Sequence, residues 1–365
     1  MRYLKWLLIL ILSVIVLLGL GVLLLTIFEY KPDTVLALEI KDNQTTTIQT
    51  ETTYSVMTFN IGYAGLGKDE DFVLDGGKSG RPDSKSVVQT YLEGIESTLT
   101  ENLFDFYLLQ EVDLKARRSY LINQVLYLHE ALGDDYSMQF AYNFKVPFVP
   151  FPLSFTDHIG YVESGLVTFT KYEVTASTRY QFPGAFDWPL RVANLKRAMM
   201  ISVLDVENSD KDLYIINLHM SAYDGDGSLR AQEMALLQSY LETLKEEGHY
   251  VIVGGDFNQT FPEAKDIYPV LQDFYVAYPI EDNFLPLGYA FQFDPNYPSC
   301  RLLNQPYDPQ GENTQYYIID GFIVSDNLTI LSFDEILTEA RAHTLDLGFE
   351  NSDHNPVVMK FKLNQ

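Results

Sequence analysis

Six apolar runs in this chain stop at, or start just after, a residue that can hold a metal ion or move a proton. VMTF leads into Asn60, FYLLQ into Glu111 and LYIINL into His219. VIVGG leads into Asp256, with Asn258 two positions on, and YYII leads into Asp320. In the last run the order is inverted: Asp353 and His354, within NSDHNP, precede the stretch VVMKF. A single Asn or Asp at a strand end is ordinarily a turn former. Six such ends form a pattern. Strands ending on one rim would gather acids, amides and two histidines at a single place.

These residue types suit the hydrolysis of a phosphate ester. That reaction needs a cation to neutralise the phosphoryl oxygens and a base to activate water. It also needs groups that hold the pentacoordinate transition state and assist the leaving oxygen. Glu111 and Asn60 offer hard oxygen ligands, which favour Mg²⁺ or Mn²⁺ over zinc. The chain has no HxH, HExxH or CxxC that would speak for zinc. His354 is a candidate base, because an imidazole titrates near pH ~6.5. A buried carboxylate on its other ring nitrogen would fix the tautomer and stabilise the imidazolium, and Asp320 is the candidate for that partner.

The elements that must position these residues are short. Apolar runs of four to six residues, bounded by turn residues, alternate with helical stretches at 86–100 and 228–246. In the second stretch Leu229, Met234, Leu237, Leu241 and Leu244 share a face. Many short strands interleaved with helices imply a layered α/β domain with buried sheets. Residues 53–365 are taken as one domain. Residues 29–52, polar and Thr-rich, are taken as a connection with one short strand at 35–40. Residues 141–161, crowded with aromatics and prolines, are poor helix or strand material. They form either a lip over the site or a loop packed on the core, and packing is the reading preferred.

The first 28 residues are of another kind. Residues 6–28 carry no charge, and at about 1.5 Å per residue a helix of that length spans a hydrocarbon core of about 30 Å. Arg2 and Lys5 precede it, so the positive-inside rule keeps residues 1–5 in the cytoplasm and the rest outside. A cleaved signal peptide is the competing reading, but its apolar region would be about 7 to 15 residues long. The expectation is a single-pass anchor in the cell membrane. The whole chain has a net charge of −25, and its first 35 residues contribute +1, which leaves −26 for the remainder. Such a domain does not attract polyanions through its overall field. Cys300 is the sole cysteine, so no intrachain disulfide forms.

The set FN at 59–60, QE at 110–111, NLH at 217–219, GGDFN at 254–258, IDGF at 319–322 and SDHNP at 352–356 resembles the endonuclease/exonuclease/phosphatase superfamily. That group includes pancreatic-type deoxyribonucleases, abasic-site endonucleases, neutral sphingomyelinases and inositol-polyphosphate phosphatases. The resemblance covers roughly residues 54–362. It implies a four-layer α/β (α+β) sandwich, two central β-sheets flanked by helices, with the site on one edge. It also implies roles. Glu111 and Asn60 would bind the catalytic Mg²⁺, with Asp353 completing that end. His354, oriented by Asp320, would polarise the attacking water. Asp256 and Asn258 would act at the scissile phosphate and leaving group, His219 would contact a phosphate oxygen, and Glu163 would pair with His219.

NLHMSA looks more like sphingomyelinase-type members than like nucleases. Lys196, Arg197 and Arg301 are cations that could hold a phosphate or headgroup; as solvating surface charges they would do nothing. A small or lipid phosphoester is therefore favoured as substrate, with nucleic acid as the alternative. A non-catalytic binding module on the same fold is a third class, although every motif position is filled. Nothing in the sequence calls for an obligate protein partner.

Overall fold

A computed structural model describes residues 2–272, 274–311 and 313–365. Among these residues, two large β-sheets form the centre. An eight-stranded sheet runs Leu328–Leu331, Val357–Leu363, Thr53–Asn60, Phe106–Ala116, Gly160–Thr170, Ser137–Val149 and Ile40–Lys41, with His343–Thr344 pairing beside Val357–Leu363. A seven-stranded sheet runs Val35–Ala37, Ala176–Gln181, Ala198–Asp205, Asp212–His219, Tyr250–Asp256, Asp320–Ser325 and Tyr289–Gln292.

Successive strand residues face opposite ways, and here both faces are covered. Tyr54, Val56, Phe106 and Leu108 meet Ile215, Ile252 and Phe322 between the sheets. Their neighbours Met57, Phe59, Tyr107 and Leu109 pack outward against Val88, Leu92, Ile95 and Leu128. The last four lie on the helices Lys85–Glu101 and Gln124–Leu132. On the far side Ile216, Val251 and Val253 pack against Leu237, Leu241 and Leu244 of the helix Ser228–Glu247. Burial on both faces explains why the strands read as unbroken apolar runs rather than alternating ones. The result is the four-layer α/β sandwich that the family resemblance implies.

Both long helices lie where the apolar spacing puts them. Ser84 caps the first by accepting from the Val87 N–H, and Gly248, at φ +77°, ends the second in a left-handed turn. The paired glycines of GGDFN are set by close approach. A Cβ on Gly255 would stand 2.0 Å from the Leu218 carbonyl oxygen, and one on Gly254 would stand 2.7 Å from Leu108 Cδ1.

Two expectations change. The 29–52 segment is woven into the domain: Val35–Ala37 pairs with Ala176–Gln181, Ile40–Lys41 pairs with Ser137–Val149, and Ile48 is fully buried. Short strands surrounded by Thr and Asn carry too little apolar periodicity to stand out. In the 141–161 segment only 150–159 is loop, because the strand Ser137–Val149 runs through its first half. That strand tolerates Pro147 at an irregularity, where its pairing shifts between Val146 and Val149.

At the N-terminus, Arg2–Ile27 is a helix with mean hydropathy 3.3 over its most apolar stretch, and none of its residues is buried. It is long and apolar enough to cross a membrane.

Candidate active site

Asp256 pairs in register with His219 on one neighbouring strand and with Asp320 on the other. Three of the expected residues therefore share one edge of the sheet, His219 and Asp256 closing their strands and Asp320 opening its own rather than ending YYII. The facing sheet supplies Asn60, which ends Thr53–Asn60, and Glu111, which stands where Phe106–Ala116 shifts register between Leu109 and Val112. A bulge of this kind re-aims a side chain. Glu111 sits at φ +55° and Asn258 at φ +50°, and left-handed backbone at non-glycine residues gathers at functional sites. Ser352 locks the last segment: its Oγ donates to the Asn60 carbonyl at 2.8 Å and accepts from the His354 N–H at 3.2 Å.

At the centre, His354 Nδ1 lies 2.8 Å from Asp320 Oδ2, which also accepts from Ser299 Oγ at 2.8 Å. The other face of the imidazole, Nε2, lies 3.8 Å from Asp256 Oδ2 and 3.9 Å from Asp353 Oδ2. Asn60 Nδ2 donates to Asp256 Oδ2 at 3.0 Å, and His219 Nε2 lies 3.3 Å from the same oxygen. Asn258 is held by three bonds. Its N–H donates to Asp256 Oδ1, its Nδ2 to the Met220 carbonyl, and its Oδ1 accepts from the Tyr275 hydroxyl.

Burial dominates the electrostatics. It pushes Asp256 up to about 7, with the nearby Asp320 charge adding to the rise. Asp353 is also pushed up to about 7 by burial; His354 opposes the rise and Glu111 adds to it. Burial opposes the charged form of His354, yet the surrounding carboxylates, Asp320 foremost, hold its pKa well above the ordinary value. His219 goes the other way, held well below its ordinary value by burial and then by Arg197. Cys300, beside Asp353 and His354, has its thiol pushed up to about 12 by burial and is therefore unreactive.

Two carboxylates and an amide converge on one cavity at Glu111, Asp353 and Asn60. The buried Asp353 carboxyl, which burial holds against ionisation, and the half-buried Glu111 fit a divalent cation between them, and all-oxygen donors fit a hard one.

Of the remaining candidates, Arg301 and Arg197 line the cavity and Lys196 and Glu163 do not. Arg301 Nη2 donates to the Gly67 carbonyl at 2.8 Å, and its Nε has no partner among the described residues. Arg197 Nη1 is likewise without a partner among them. Lys196 is turned away: its Nζ donates to Glu29 Oε1 at 2.8 Å and to the Arg191 carbonyl at 3.0 Å. Glu163 is corrected too. It faces Lys145 at 3.2 Å in the pairing of Gly160–Thr170, not His219.

Three cavity residues have no mark in the sequence. Arg118 lies 3.8 Å from Glu111, is held by Asp113 at 2.9 Å, and stacks 3.6 Å over the Tyr63 ring. Asn143 is buried, with both amide atoms unpartnered among the described residues. Tyr223 bonds to Asp75. A charge seven residues past Glu111, in the turn that follows a bulged strand, could be found only with the bulge known.

The sequence pattern of the endonuclease/exonuclease/phosphatase family matches residues 57–354, and the chain belongs to this family of phosphoester hydrolases. Among solved structures, an endonuclease/exonuclease/phosphatase from Beutenbergia cavernae DSM 12333 superposes with TM-score 0.57 at 16% identity, over 86% of this chain and 72% of that one. The human Nocturnin catalytic domain with bound sulfate gives TM-score 0.51 at 15% identity, over 90% of this chain and 97% of that one. ANGEL2, a 2',3'-cyclic phosphatase, in complex with adenosine-2',3'-vanadate gives 0.52 at 13%, over 92% and 100%. At these identities the likeness is one of fold. No curated protein matches the sequence.

Proposed function

We propose that this chain is a membrane-tethered hydrolase of small or lipid phosphoesters that uses Mg²⁺ or Mn²⁺, with its domain on the extracytoplasmic side. The observation that carries the reading is the 2.8 Å contact of His354 with Asp320, set beside Asp256 on one strand-end rim. Glu111, Asn60 and Asp353 would hold the cation, whose charge neutralises phosphoryl oxygens.

The protein's own groups divide the proton work. Asp320 fixes His354 through Nδ1, so that Nε2, 3.4 Å from Asn60 Nδ2, is the nitrogen that takes a proton from water. The surrounding carboxylates raise the pKa of His354, and a cation beside them would offset that rise and favour the neutral form a base requires. Water then attacks phosphorus, its proton passes to Nε2, and the phosphorus–oxygen ester bond breaks. Asp256, protonated in part near neutral pH, supplies a proton to the departing oxygen. Asn258 is fixed by three bonds at its side. Neutral His219 and the Arg197 guanidinium face phosphate oxygens.

The substrate is tested by a side-by-side panel with Mg²⁺ and with EDTA: bis-p-nitrophenyl phosphate, sphingomyelin, phosphatidylinositol phosphates, and single- and double-stranded DNA. The proposal expects small or lipid esters to show the larger kcat/KM at fixed salt. A large preference for DNA would make the chain a nuclease. The sidedness is tested by adding protease to intact spheroplasts, where digestion of the domain is expected and full protection would reverse the topology.

A further inference from the structure

The cavity that holds the catalytic residues, about 520 Å³, does not stop at them. Its far wall is apolar, built from Val149, Phe151, Ile159 and Leu190, and it ends on Val22 and Leu25 of the N-terminal helix. A cleft that is polar at one end and apolar along its length is the ordinary form of a site for an amphiphilic molecule.

The foot of that helix is fastened to the rim of the cleft. Glu29, whose side chain is only 3% exposed, takes Lys196 at 2.8 Å and Arg191 at 3.4 Å. Trp188 Nε1 donates to Thr26 Oγ1 at 3.1 Å. The segment 182–197, which holds Trp188, Arg191 and Lys196, and the loop 150–159 carry large apolar side chains in the open: Leu153 at 94% and Phe155 at 102% exposure, and Trp188 and Leu190 at more than half. Loop residues of this type, grouped beside a helix able to span a bilayer, match the aromatic and aliphatic belt of a membrane interface.

We infer that the cleft is filled from the bilayer: the apolar half takes an alkyl or acyl chain of a membrane lipid, with the lipid's phosphoester at His354. Val22 and Leu25 are both cavity wall and membrane helix, so a chain leaving the bilayer meets no aqueous gap on its way in. The charged foot of the helix holds the opening in that orientation. Asn143, with both amide atoms unpartnered among the described residues, lines the same cavity and is available to a polar headgroup. This inference rests on the phosphoester-hydrolase reading and on a retained anchor.

The test uses the full chain in phosphatidylcholine vesicles with Mg²⁺ and two esters that share one scissile bond. These are water-soluble p-nitrophenyl ethyl phosphate and vesicle-embedded p-nitrophenyl hexadecyl phosphate. The wild type is expected to hydrolyse the hexadecyl ester at least tenfold faster. Leu190→Glu, at an exposed position, is expected to reduce that preference tenfold or more with an unchanged melting temperature. Equal rates on the two esters, or a preference that survives Leu190→Glu, overturn the inference while leaving the hydrolase reading intact. Hydrolysis of neither ester overturns both.

Discussion

Gln110 Nε2 donates to Asn217 Oδ1 at 2.9 Å and so joins the two sheets directly behind Glu111 and His219. Asn217 completes the clamp by donating to the carbonyls of Leu109 and Val167. Both residues are fully buried, so the pair is a positioning device rather than a surface contact. Asn217→Leu leaves buried polar groups unmatched and is expected to cost about 1–3 kcal/mol. The double variant Gln110→Leu/Asn217→Leu should recover part of that loss, because both polar partners are then gone. Urea denaturation of the wild type, the two single variants and the double variant measures this, and strictly additive losses would show that the amides do not act together.

Glu233 offers a pH test away from the candidate cation site. Burial first of all pushes its carboxyl from 4.5 to about 7, although it accepts from the N–H and Oγ of Ser221. A folded-state pKa above the unfolded one stabilises the fold fully below pH ~4.5, and that stabilisation is lost as pH rises through ~7. Glu233→Gln removes the ionisation. Relative to wild type, its stability should therefore climb over that window by on the order of 3 kcal/mol. Paired denaturation curves at the two ends decide it; a difference that does not vary with pH would mean that the carboxyl titrates normally.

Cation binding has a readout that needs no substrate. If Glu111, Asp353 and Asn60 form the site, Mg²⁺ binds the folded state alone and raises the melting temperature. At a concentration 100 times Kd the gain is about 2.7 kcal/mol. EDTA should reverse the gain, and Glu111→Gln should lose most of it while melting normally in EDTA. A wild-type melting curve indifferent to Mg²⁺ and Mn²⁺ would remove these residues from consideration as ligands.

The amino-acid pattern revealed the strand ends and the two long helices because both arise from local rules. Strands buried on both faces must be apolar and must stop where polar groups begin, and LYIINLH or VIVGGD says so directly. Other features depend on partners distant in sequence. By sequence Lys196 is either a phosphate or headgroup contact or a solvating charge, yet it meets Glu29, 167 residues away. The family resemblance puts Glu163 beside His219, but strand pairing sets it against Lys145. Arg118 reaches Glu111 only because the strand between them is bulged. Strand register, bulges and the seating of the N-terminal helix decide these contacts, and none of them leaves a periodic trace.

The most direct test of the account is a mutant cycle on His354 and Asp320, measured on bis-p-nitrophenyl phosphate with saturating Mg²⁺. The imidazole and carboxylate in contact at 2.8 Å should act as one unit, so their losses should not add. His354→Ala is expected to remove several orders of magnitude of kcat with little change in melting temperature. Asp320→Asn is expected to cost about 10³- to 10⁴-fold, since the ring stays near its place in the wrong tautomer. The double variant should then be scarcely slower than His354→Ala alone. Penalties that multiply, or near-normal turnover by His354→Ala, would contradict the account.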